Sequence, residues 1–375
     1  TASNNTPRFD HDPVTLTAKG LLMEEARTNY IHNSQFTGVP NGTYTAPFQS
    51  AANWELSIPS TLTSQSATIS SGIINGINYL DMRVQASNSS GSTAYVTFTM
   101  PIADQPAVSN GTSSIAKAWL GVPSYSSSGG TCIVDFQVRS MTSGSSYITS
   151  QDVTLSSTAP FQERTTAPLV HGATAAKTSW LSYVSIPNGA TCDITYRIGA
   201  PQLEIGKYAT SYIPTTNAPA TRNTETLTLP TASWYNQANG TFFNDISWKT
   251  VNIGLYPMFF RVDDGTSNNR WNAFYNHNIL SLGVDALTSS VNQGSWAASY
   301  PVSGSGKISC AQQLNDSNCA FDNVLQTQKT SWSPPPVTQL RLYNTASAAG
   351  ASKWFKTIKY YPQRSSDTQL QLLTQ

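Results

Sequence analysis

Through most of this chain, apolar residues recur at every second position. Ala94, Val96, Phe98 and Met100 alternate with Tyr95, Thr97 and Thr99. Cys132, Val134, Phe136 and Val138 alternate with Asp135, Gln137 and Arg139, and Cys192, Ile194, Tyr196 and Ile198 with Asp193, Thr195 and Arg197. A period of two gives each strand one buried and one wet face, the pattern of antiparallel sheets. Turn clusters such as Ser126-Ser127-Ser128-Gly129-Gly130 separate the runs. The expected fold class is all-β: two antiparallel, jelly-roll-like β-sandwich modules in tandem, ending in a short helix.

A length of 375 residues accommodates two or three domains. Residues 1–33 form an entry segment with a turn at Asp12-Pro13. It reads either as a docking or trimer-stabilising arm or as a linker strand packed on the following module. Glu24, Glu25 and Arg27 are placed to pair locally. Residues 34–214 form the first β-module, 215–224 a polar linker, and 225–375 the second β-module. Strands of the second module are expected at Gly240–Trp248, Met258–Val262, Lys307–Leu314, Gln339–Tyr343 and Trp354–Tyr361. Ser366 and Gln369 can form a capping box for a final helix with Leu370 and Leu373 as its apolar stripe. The modules are not copies of each other.

Composition excludes several classes of function. Charged residues make up 11% and the net charge is +1, so there is no basic stripe for nucleic acid. No run of eighteen apolar residues exists to insert in a membrane. The N-terminus lacks both a signal-peptide pattern and an initiator Met, so the chain is expected to be processed or cut from a longer protein. Cys132 and Cys192 read as buried thiols facing one core, with their redox state left open. A hairpin turning at Asn315–Asn318 would pair Leu314 with Cys319, which argues against a Cys310–Cys319 disulfide. No metal spacing, nucleophile elbow or phosphate loop is present, and His11, His32, His171 and His277 are scattered.

Two segments carry a family resemblance. Pro7-Arg8-Phe9-Asp10-His11-Asp12-Pro13 runs on to Gly20-Leu21-Leu22-Met23-Glu24-Glu25-Ala26-Arg27-Thr28-Asn29. Ala200-Pro201-Gln202-Leu203-Glu204-Ile205-Gly206 runs on to Ala209-Thr210-Ser211-Tyr212-Ile213-Pro214. Both resemble segments of bacteriophage tail and virion-surface proteins, where they bracket a sandwich similar to carbohydrate-binding modules. Gly76-Ile77-Asn78-Tyr79-Leu80-Asp81-Met82-Arg83 resembles a strand of the same modules. The phrase from Thr357 to Leu370 resembles the closing strand of laminin-G/concanavalin-like modules in phage proteins. There a hairpin ends in Asn-Gly, whereas here Asn323 is followed by Val324. The resemblance implies a fibre, spike or decoration protein of the phage particle, acting outside the cell. Its implied partners are host surface polysaccharide, other virion proteins and copies of itself, with a homotrimer expected. It also implies that Trp54 lies near the sandwich surface.

Sugars are held by flat aromatic faces meeting C–H surfaces, with amides, carboxylates and guanidinium groups on the hydroxyls. The densest such stretch runs from Asp263 to Asn278. Asp264, Asn269, Arg270, Trp271 and Tyr275, with Trp296 from the next polar loop, are the candidate glycan-binding residues. The competing reading makes Trp271 and Tyr275 ordinary strand residues with one face buried. Trp119 reads as a core residue, and Trp180 is ambiguous. Asp263-Asp264-Gly265 is a fragment of a calcium loop without its full ligand ladder, so no metal is assigned and calcium stays open. No carboxylate pair stands out, so catalysis is not expected. The expected function is non-enzymatic adhesion. The alternatives are a purely structural virion component, or a polysaccharide depolymerase.

Overall fold

The computed structural model describes residues 7–12, 15–250, 257–276, 278–343 and 351–375. Pro13, of the expected turn, and His277 lie outside them. The fold is all-β and antiparallel, with one short C-terminal helix. No helix among the described residues is long and apolar enough to cross a membrane. The chain divides into one unit of Arg27–Arg222 and a second made of Thr1–Ala26 with Asn223–Gln375.

In the Arg27–Arg222 unit a seven-stranded sheet has the order Ala159–Thr165, Ser113–Ser128, Thr191–Ile205, Ile77–Asn88, Leu62–Ile74, Gly42–Tyr44, with Leu169–Val170 also on Ser113–Ser128. The facing six-stranded sheet runs Tyr147–Leu155, Ile133–Met141, Lys177–Ile186, Ala94–Thr99, Trp54–Ser57, Phe48–Ala51. The alternating sets meet in one core. Val134, Phe136 and Val138 bury with Val96, Phe98 and Trp180, against Ile194, Tyr196 and Ile198 of the other sheet. Trp54 stacks on Phe98 at 4.7 Å and meets Trp180 edge-on at 5.3 Å. It is fully buried rather than near the surface, because its indole N–H reaches the Asn33 carbonyl at 2.8 Å inside the core. Trp119 departs from expectation in the other direction. It is half-buried on the outer face, where it leans on Phe161 at 5.5 Å.

The two resemblance segments close this unit on itself. The Asn29 amide donates to the carbonyls of Pro201 and Ile213. Gln202 donates to Glu204, and Glu204 accepts from the Thr210 backbone amide at 2.9 Å. Arg27 donates to the Ile205 carbonyl at 2.5 Å. Burial pushes the Glu204 carboxyl up, and the Arg27 charge and Thr210 pull it back. Such a buried polar set is tolerable only when its groups are paired. The segment expected as a linker contributes Ala220–Arg222, a strand paired with Arg27–Asn29. The unit boundaries therefore fall at 27 and 222, rather than at 34 and 214.

The second unit also holds a seven-stranded and a six-stranded sheet, with every expected strand present. Residues of the entry segment belong here. Phe9–His11 pairs with Ala18–Met23, which adds to the edge of Ala351–Tyr361 with Leu22 opposite Trp354. Gly20, at φ +106, allows this approach, because a side chain there would run into the Phe355 carbonyl. Glu24 pairs with Arg8, sixteen residues away in the same segment, at 2.8 Å, and Arg8 also meets Glu225.

The 303–321 hairpin corrects the cysteine register. It turns at Leu314-Asn315, with Asn315 at φ 57, so Gln313 faces Asp316 and Cys310 faces Cys319. The two cysteines form a disulfide. Asn tolerates the left-handed conformation, which permits a turn shorter than the four-residue one read from the sequence. Asp322 and Asn323 both take positive φ, so the next turn forms without a glycine. The final helix, Asp367–Leu373, starts on the complete Ser366–Gln369 capping box and buries Leu370 against Ala311 and Ala320.

Candidate binding face

The expected site in the second unit does not form an open surface. Trp271 and Tyr275 are both fully buried. Trp271 packs on Phe242 at 5.3 Å, and Tyr275 donates its hydroxyl to the Tyr300 carbonyl. Trp296 is buried against Trp332, with its indole N–H on the Thr327 carbonyl. The polar members serve the loop itself. Asp264 accepts from Thr266 and from the Asn269 amide, and Asn269 accepts from the Ser289 backbone. Arg270 reaches the Ser267 carbonyl and Asp285. The three aromatics belong to the core because the Arg270–Asn276 and Val291–Ser299 strands turn these residues inward. The calcium fragment is also accounted for. The Asp263 carboxylate is fully buried and held by Arg261, Arg341 and Gln339, which leaves a cation no charge to neutralise. Among the described residues no three His, Cys, Asp or Glu side chains cluster as a metal site.

A different arrangement appears on the outer face of the six-stranded sheet in the Arg27–Arg222 unit. Asp135, Gln137 and Arg139 are alternate residues of Ile133–Met141, so all three leave the sheet on the side opposite Val134, Phe136 and Val138. Asp135 stands directly opposite Tyr183 on one neighbour and Thr154 on the other. One carboxylate oxygen accepts from the Tyr183 hydroxyl at 3.0 Å and from Thr154 at 3.1 Å. The Gln137 amide donates to the Tyr183 oxygen at 3.0 Å, and Arg139 donates to Gln137 at 2.7 Å. The result is one hydrogen-bonded row running along and across the sheet.

Two exposed rings flank this row. Tyr95, 47% exposed, meets Tyr183 edge-on at 5.4 Å. Tyr147, 56% exposed, lies under the Arg139 guanidinium at 5.1 Å. Asp135 is only 1% exposed, and its second oxygen has no hydrogen-bond partner among the described residues beyond the Val153 amide alongside. Burial pushes its carboxyl up to about 6, helped by the Asp152 charge and opposed by the Tyr183 hydrogen bond. Burial beside Asp135 raises the Tyr183 hydroxyl as well.

On the outer face of the seven-stranded sheet the charged groups are paired with each other. Arg197 is bidentate on Asp81, and Arg83 on Asp193, at 2.6–2.8 Å. Phe161 lies over Gly121 and Gly199, where any Cβ would strike it. The alternation showed which residues leave the sheet away from the core, although Asp135 and Gln137 are themselves buried on that side. The missed signal was adjacency, since nothing in the sequence places Tyr183 beside Asp135. No family model matches the chain, and no curated protein matches it.

Proposed function

We propose that this chain is a non-enzymatic virion-surface protein that adheres to host polysaccharide through the Asp135–Arg139 face. The observation that carries the reading is the pairing of two exposed tyrosine rings with one row of carboxylate, hydroxyl, amide and guanidinium groups. Ring faces suit sugar C–H surfaces, the half-buried Arg139 guanidinium suits a hydroxyl, and the buried Asp135, Gln137 and Tyr183 hold that guanidinium and the flanking ring in place. Tyr95 stands level with Ile133, and Tyr147 with Met141. Eight residues of strand span about 26 Å, which favours a stretch of extended polysaccharide over a single terminal sugar. Each contact would be weak, and repeated copies on a particle, in trimers or otherwise, would multiply it. The assignment to a phage particle, among other virion proteins, rests on the two bracketing motifs. In this reading the second unit, where Trp271, Tyr275 and Trp296 are buried, serves assembly.

Binding of the purified chain to isolated host-surface polysaccharide, followed by calorimetry and a reducing-end assay, tests the proposal. Tyr95→Ala and Tyr147→Ala should each weaken binding by about 5- to 20-fold. Arg83→Ala, on the opposite sheet, should leave it unchanged. If the unaltered chain shows no binding, or both tyrosine variants bind normally, this face is not the site and the structural virion reading stands. New reducing ends would instead favour a depolymerase using Asp135 with Asp152, the charge that already lifts the Asp135 carboxyl.

A further inference from the structure

The core of the Arg27–Arg222 unit holds two cysteines that are not joined. Cys132 and Cys192 are buried in the same cluster at one end of the sandwich. Cys132 immediately precedes Ile133–Met141 of the six-stranded sheet, and Cys192 lies in Thr191–Ile205 of the seven-stranded sheet. Ser127 connects them. Its backbone stands opposite Cys192, and its hydroxyl accepts the Cys132 amide at 3.1 Å. Tyr125 holds the Cys132 carbonyl at 2.7 Å. Each thiol shifts the ionisation of the other, as neighbouring thiols do, and Cys192 also points to the Val84 carbonyl at 3.9 Å.

We propose that Cys132 and Cys192 form a reversible inter-sheet disulfide, an oxidation site that pins the two sheets together at this end. Ser127, tied to the Cys132 amide and standing opposite Cys192, holds the two residues as neighbours across the sandwich, and side-chain rotation can then bring the sulfurs toward the bonding distance of about 2.05 Å. Cys192 lowers the Cys132 thiol, so Cys132 is the attacking group. The co-reactant is a small aliphatic disulfide. The Cys132 thiolate attacks one of its sulfurs and expels a thiolate. Cys192, losing its proton to that leaving group, then attacks the mixed disulfide and expels the second thiol. Two protein thiols are oxidised, and one small disulfide is reduced to two thiols. Both thiols are buried, so the small disulfide reaches them only as this end of the sandwich opens or while the chain refolds, which the two arms of the test separate.

The test treats the full chain with oxidised glutathione, once folded and once during refolding from urea. The products are then alkylated under denaturing conditions and mapped by mass spectrometry. The expected result is a Cys132–Cys192 linked peptide pair, absent in Cys192→Ser and reversed by dithiothreitol. The link closes a loop of about 60 residues, so the oxidised form should melt roughly 10 °C higher than the reduced form. Recovery of both residues as alkylated thiols in both arms overturns the proposal. So does their capture only in pairs with Cys310 or Cys319.

Discussion

Asp135 costs the Arg27–Arg222 unit stability whenever it is ionised. Its folded pKa, about 6, lies above the ordinary aspartate value of 3.8, so the folded state holds the proton more tightly than the unfolded state does. The favourable contribution is complete below about pH 4 and is lost as the pH rises through 6. Asp135→Asn keeps an acceptor for Tyr183 and Thr154 and removes the charge. It should raise stability by about 1–2 kcal/mol at pH 7.5 and change it little at pH 4, as read by urea denaturation at both values. An equal effect at both pH values would mean that charge burial is not the cause. A residue that destabilises its own fold is retained most readily for binding. The residue scale is also where the sequence misled. Tryptophan was weighed as a surface ligand in the 263–278 stretch and the next polar loop, yet Trp271 and Trp296 are buried, while Tyr95 and Tyr147 supply the open rings.

At the scale of elements, local chemistry was the better guide. The C-terminal helix was legible because its start is a contiguous signal. Ser366 accepts the Gln369 amide, and Gln369 returns to the Ser366 backbone. Seven residues make too short a helix to persist without a cap and a docking surface. Ser366→Ala should therefore destabilise it by about 1 kcal/mol, seen as faster hydrogen exchange confined to its amides. Unchanged exchange there would show that packing of Leu370 alone holds the helix. Hairpin registers were less legible. The expected Asn315–Asn318 turn and the observed Leu314-Asn315 turn differ by only two residues in length, yet that decides whether Cys310 meets Cys319. Turn type depends on one residue's φ, and Asn adopts either sign.

At the scale of the molecule, the entry strands belong to the second unit. Leu22 and Met23 are buried there, and Asp10 accepts the Trp354 indole N–H at 2.6 Å. A chain lacking residues 1–26 should lose about 3 kcal/mol or more from that unit and nothing from Arg27–Arg222, as two calorimetric transitions of which only one shifts. If the other transition shifts instead, the segment belongs with its sequence neighbour. The sequence by itself determined the fold class, the inward sets of the three clearly alternating strands and the capped helix. Those features depend on a two-residue period or a contiguous motif, which any single stretch of chain carries. Only the tertiary structure decided which wet faces lie side by side. Tyr95, Asp135 and Tyr183 come from strands far apart in the chain, and sheet order, not local pattern, makes them neighbours.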